Sequence, residues 1–120
     1  MGNTPSSSLF MYNGIVSIPS EDKLIQCLRQ HVHFWHKENK SVIIYAKHAQ
    51  YWKKAIVDDY FWFTSPNAEF KELNPIDARG DSADVMVFIN PIPDLVDETI
   101  KHLKSIEGRN VIQFNTNKNT

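Results

Sequence analysis

One stretch, SVIIYAKHAQYWKKAIVDDYFWF at residues 41–63, restricts the fold more than any other part of the chain. It opens with Val42, Ile43, Ile44, Tyr45 and Ala46, an unbroken apolar run. A run that short, rich in β-branched and aromatic side chains, reads as a strand covered on both faces. The chain turns at Lys47-His48, and from Ala49 the apolar period changes. Trp52, Ala55, Ile56, Tyr60 and Phe63 recur at three- and four-residue steps, which is one face of a helix. A buried strand feeding an amphipathic helix is the repeating unit of an α/β sheet.

The flanking sequence repeats the alternation. Leu9–Tyr12 reads as a first strand, with Asn13-Gly14 as a hairpin turn or the loop leaving it. Ser20 can cap a helix whose first turn holds Glu21 and Asp22 and whose apolar face is Leu24, Ile25, Leu28, Val32 and Trp35. That helix ends near residues 38–40. Ala68–Leu73 reads as a short edge strand anchored by Phe70, and residues 74–82, NPIDARGDS, as a loop. Residues 83–90, ADVMVFIN, form the second strong buried strand. Val96, Ile100, Leu103 and Ile106 mark a third helix, closed by Gly108. Val111–Phe114 is a last strand. The expected architecture is one α/β domain over residues 1–120, a three-layer sandwich with a mostly parallel sheet and helices on both faces. Residues 1–8 and 116–120 are expected to be loose ends. Val42–Ala46 and Val85–Ile89, the two most apolar runs, should be neighbouring central parallel strands.

Composition excludes several classes. Hydrophobic residues make up 42%, too many for a disordered chain. No apolar run approaches the roughly 20 residues of a membrane span. A formal net charge of −1 offers no broad field for a phosphate backbone, so no direct nucleic-acid binding is expected. The first ten residues lack a signal peptide's basic flank and apolar block, and a single cysteine, Cys27, rules out an internal disulfide. Both fit a cytoplasmic setting.

The catalytic motifs are thin. His31, His33 and His36 stand at gaps of two, three and five on one helix, with no Cys, Asp or Glu partner at a telling distance, so no metal is expected. Cys27 lies beside Leu24 and Leu28, where a free thiol is ordinary packing. No G-x-G-x-x-G or P-loop follows a strand, so no nucleotide cofactor is expected. Asp84 before the second buried strand and Asn90 at its end are the positions an enzyme acting on a nucleotide or nucleoside would use. The aromatic group Tyr60, Phe61, Trp62, Phe63 and Phe70 is the most unusual feature. One helix face cannot bury four consecutive aromatics. Some must face a second cluster under the 64–82 loop, or a protein partner.

Five pieces in order, LFMY at 9–12, KSVIIYA at 40–46, YFWF at 60–63, PNAEF at 66–70 and VMVFIN at 85–90, resemble the chi subunit of bacterial DNA polymerase III. The resemblance covers roughly residues 9–90. Lys71-Glu72-Leu73 replaces that family's L-P-H after the aromatic, and the last helix lacks its tyrosine. The resemblance implies a nucleotide-binding-like sheet without catalysis. It also implies an adaptor joining a clamp-loader psi-like subunit to the acidic tail of single-stranded-DNA-binding protein. The partner-binding residues it implies are Phe70, Lys101 and Lys104, with Trp62 and Phe61 from the aromatic group. An unrelated small α/β interaction module from a phage or accessory locus is the alternative. In the tail-binding reading, an exposed aromatic wall at Phe70 stacks the terminal phenylalanine while nearby lysines answer its carboxylate.

Overall fold

The structure, a computed structural model, describes residues 13–61, 64, 66–91 and 93–116. Five parallel strands form one sheet: β1 Gly14–Ile18, β2 Val42–Ala46, β3 Ala68–Glu72, β4 Val85–Ile89 and β5 Asn110–Thr116. Their spatial order is β1-β5-β4-β2-β3. As expected, β2 and β4 are interior neighbours, paired from Val42↔Val85 to Tyr45↔Phe88. Every residue of both strands is buried. Their unbroken apolar runs follow from this, since each face lies under its own helices.

Alternation along the strands divides the core. Val42, Ile44, Ala46, Val85, Val87, Ile89, Ile112 and Phe114 pack on one face, under α1 (Glu21–Lys37) and α2 (Ala49–Lys53). Ile43, Tyr45, Met86, Phe88 and Val111 pack on the other, under α3 (Pro75–Gly80) and α4 (Pro93–Lys104). This is the three-layer α/β sandwich. Among the described residues no helix is long and apolar enough to cross a membrane.

Helix α1 starts where the caps require. The Ser20 hydroxyl accepts from the Lys23 amide at 3.3 Å, and Glu21 and Asp22 sit in the first turn. Leu24, Leu28, Val32 and Trp35 are buried as expected, and His31 joins them. The His31 Nδ1–H donates to the Cys27 carbonyl at 2.9 Å, and the ring lies against Trp35 and Phe114. This histidine is core, not a solvated helix residue.

Three elements differ from the sequence reading or add to it. Leu9–Tyr12 lies outside the described residues, and the edge strand observed is Gly14–Ile18, parallel to β5. Asn13-Gly14 leads into that strand: the Asn13 side chain accepts from the Val111 amide at 3.0 Å and donates to Asn110 at 2.8 Å. The stretch read as a loop at 74–82 contains α3. Asn74 caps it by accepting from the Ile76 amide at 3.0 Å, and Pro75 occupies the first turn. The last strand runs on to Thr116, whose amide donates to Asn90 Oδ1 at 2.8 Å.

The helix after β2 also departs from one regular face. It widens into a π-helical segment, Lys54–Asp58. The wider turn brings residues five apart together, so Lys53 pairs with Asp58 at 3.2 Å and Lys54 with Asp59 at 3.0 Å. It also leaves the Ala55 carbonyl to the Arg29 guanidinium, which donates twice, at 3.0 and 2.8 Å. The extra residue per turn shifts everything after it by one position. Tyr60, expected inside, is exposed under Arg29, and Phe61 turns inward.

Burial holds the His31 imidazole below its ordinary value of 6.5, outweighing its backbone hydrogen bond. The unfolded chain therefore binds a proton that the folded chain refuses. Stability should be complete above about pH 6.5 and fall as the pH drops below it. Urea unfolding at pH 7.5 and 5.5 checks this, and His31→Phe should flatten the difference.

Candidate functional site

The sheet order creates one crevice. From β2 the chain moves to the β3 edge, then crosses back past β2 to β4 and continues outward to β5. The direction of winding reverses between β2 and β4. Open α/β sheets take ligands outside the carboxyl ends of the strands at that reversal. Here it opens a crevice of about 810 Å³. Its lining comes from the ends of β3 and β4 (Glu72, Ile89, Asn90), the loop after β2 (Lys47, His48), α2 (Gln50, Tyr51, Trp52) and Glu21 of α1.

The backbone at its two sides is unusual. His48 and Asn90 both adopt left-handed φ values, 64° and 48°. Each follows a buried strand and turns the chain sharply away from it, which keeps the space open. The carboxylates around it are already engaged. Glu72 accepts the backbone amides of His48 and Ala49 at 3.1 and 2.7 Å. It therefore fills the first turn of α2 with the protein's own negative charge. Glu21 accepts the Tyr51 hydroxyl, a bond that raises that phenol and ties α1 to α2.

Asp84 and Asn90 stand at opposite ends of β4, so they cannot share a site. Asp84 closes the amino edge, accepting the Ser41 amide at 2.9 Å while its own amide donates to the Ser41 hydroxyl at 3.0 Å. On the α3–α4 face, Tyr45 donates to Asp81 at 2.5 Å and Lys71 pairs with the same carboxylate at 3.0 Å. Burial, reinforced by Asp81, pushes the Tyr45 phenol far up. Burial alone would raise Asp81, but the Tyr45 and Lys71 bonds hold it below its ordinary value. This group fixes the α3–β4 connection to the sheet.

The partner-binding residues expected from the sequence are dispersed. Phe70 is only 8% exposed and packs under α1 and α2, so it is core and not an exposed wall. Phe61 is also buried in that layer, stacked on His33. Trp62 lies outside the described residues. Lys101 and Lys104 are exposed on α4, across the sheet from Phe70. The structure thus does not assemble Phe70 with the lysines. Of the nucleotide-site positions expected from the sequence, Asn90 does line the crevice; sequence reasoning missed its other lining residues, for which Glu72 at the last position of its strand was the available signal.

Cys27 does have a histidine beside it, with Sγ 3.6 Å from His31 Nδ1. Burial pushes the thiol up and the imidazole down, opposite to a thiolate–imidazolium pair. Among the described residues no group of three His, Cys, Asp or Glu could hold a metal ion. No family model, curated protein or solved structure matches the chain.

Two outcomes follow from this geometry. Glu72→Ala should destabilise the fold by about 1–2 kcal/mol in urea unfolding, because it removes the acceptor for two helix-start amides. Cys27 in the folded protein should react with iodoacetamide at pH 7 well below the rate of a free cysteine peptide, and denaturant should restore that rate.

Proposed function

We propose that this chain is a non-enzymatic adaptor, similar in role to the chi subunit, whose partners are proteins. One observation carries the reading. Among the described residues no helix covers Ile15 on the α4 side of β1, and helical spacing directs two lysines of α4 toward that strand. Val16 and Ile18 pack into the α1–α2 layer, so Ile15 points to the α4 side, where it is 61% exposed. Val96, Ile100 and Leu103 bury one side of α4. Leu95 and Glu98 line a groove shared with α3. Helical spacing then turns Lys101 and Lys104 to the opposite flank, toward β1. Neither lysine forms an ion pair among the described residues.

An exposed isoleucine with two lysines turned toward its strand suits an acidic peptide that ends in an apolar residue. The apolar end covers Ile15, and the lysines answer the carboxylates. In this reading Ile15 takes the place that Phe70 cannot fill from the core. Asp97 lies one turn before Lys101, so the local charge is modest. Binding should be weak and should fade with salt, since exposed charges are screened within about 8 Å at physiological ionic strength. The second surface an adaptor needs is the α3–α4 groove, where Ile76 and Leu95 are exposed between Arg79 and Glu98. An apolar centre inside a polar rim is the anatomy of a protein interface, and a psi-like subunit is the partner the resemblance implies.

The committed carboxylates of the crevice support the non-enzymatic part, because neither Glu72 nor Glu21 is at liberty to serve as a base. Calorimetry with an acidic, phenylalanine-ended tail peptide tests the reading. Heat at low salt is expected from the wild type, reduced at least about fivefold in affinity by Ile15→Asp or by Lys101→Ala with Lys104→Ala. No heat at low salt, or unchanged affinity in both variants, would remove the peptide surface from the account.

A further inference from the structure

The carboxyl-end crevice has an uneven hydrogen-bond inventory, independent of the peptide surface. Its carboxylates and the Asn90 carbonyl serve the fold. Glu72 takes two amides of α2, Glu21 takes the Tyr51 hydroxyl, and Asn90 Oδ1 takes the amide and hydroxyl of Thr116. Its donors do not. Among the described residues the side chains of Lys47, His48 and Gln50 have no hydrogen bond or ion pair, and neither has Asn90 Nδ2. A concave site with engaged carboxylates and an excess of idle donors recognises a ligand rich in acceptors.

Two further features narrow the ligand. The half-exposed Tyr51 ring is held edge-on against Trp52, with centroids 5.6 Å apart, and Ile89 also lines the crevice. That wall suits a planar ring. The volume of about 810 Å³ lies inside the range of small-molecule sites, roughly 300–1,000 Å³. Lys47 makes an anionic group favourable. The two carboxylates nearby limit it to a single anionic group, because a polyphosphate would crowd Glu21 and Glu72.

The geometry points to this crevice as a binding site for a small organic anion with a planar ring, of nucleoside-monophosphate size. The ring lies on Tyr51, and the Gln50 and Asn90 amides donate to its acceptor edge. The anion lies against Lys47 and His48. It does not sit on the α2 amides, which Glu72 already occupies. The assignment does not depend on the adaptor role, since the peptide surface is on the opposite side of the sheet.

Amide chemical-shift titration of the full chain tests the site, with adenosine monophosphate, adenosine triphosphate, adenosine, inorganic phosphate and 4-hydroxybenzoate as probes. The monophosphate is expected to move the amides of Lys47, His48, Tyr51 and Asn90 saturably. Adenosine, phosphate and the triphosphate should each bind at least about tenfold more weakly. Saturation by 4-hydroxybenzoate alone would keep the site and assign its anion as a carboxylate. The Lys47→Ala, His48→Asn pair should weaken the monophosphate at least about tenfold with an unchanged unfolding midpoint, since asparagine tolerates the left-handed backbone. The assignment is overturned by any of three results: no saturation with the monophosphate or 4-hydroxybenzoate at about 10 mM, shifts away from the crevice, or equal affinity in the double variant.

Discussion

The pairing of β2 with β4 is the constraint on which the rest of the structure depends. Both strands are buried on both faces, so each must be covered twice. Covering both faces of a parallel pair requires crossover connections, and those connections are α1 and α2 on one side and α3 and α4 on the other. The reversal of winding between the two strands is the direct cause of the crevice. The residues that matter there, Lys47, His48 and Asn90, are simply those that follow the last buried positions.

The same pairing explains how polar groups are distributed. Within β2 and β4 the only side-chain oxygen or nitrogen is the Tyr45 hydroxyl, and it reaches the half-buried Asp81. All other polar work is done at the strand ends. Asp84 and Ser41 lock the amino edge, and Glu72 and Asn90 lock the carboxyl edge. Glu72 is the most consequential of these. It lies on the edge strand, yet it reaches past β2 to hold the start of α2. A dinucleotide-binding sheet leaves a helix start open for phosphate. This chain fills its own with a carboxylate.

The sheet was legible in the sequence wherever burial was two-sided. Val42–Ala46 and Val85–Ile89 carry no polar residue that could be read any other way, and their adjacency followed. The one-sided edge strand was harder. β1 alternates half-buried and exposed over only five residues and begins at a glycine, so Asn13-Gly14 resembled a turn. Helix α3 was hidden because its cap, Asn74-Pro75, is also turn chemistry, and only Asp77 three residues after the cap argued otherwise. The π segment was not legible at all. One extra residue in a turn breaks no composition rule, yet it exchanged the fates of Tyr60 and Phe61. The site was less legible than the fold for a related reason. Phe70 and Lys101 carry the right chemistry, but alternation along β3 sends Phe70 to the layer away from α4, and sequence distance does not reveal that.

Everything said of the crevice and of the α4 flank rests on β4 standing between β2 and β5 in a parallel sheet. Inter-strand nuclear Overhauser contacts measured on labelled protein test this directly. The expected result is a parallel pattern joining Ile44 to Val87 and Val87 to Ile112. Antiparallel contacts between residues 42–46 and 85–89, or contacts placing either strand at an edge, would contradict the account.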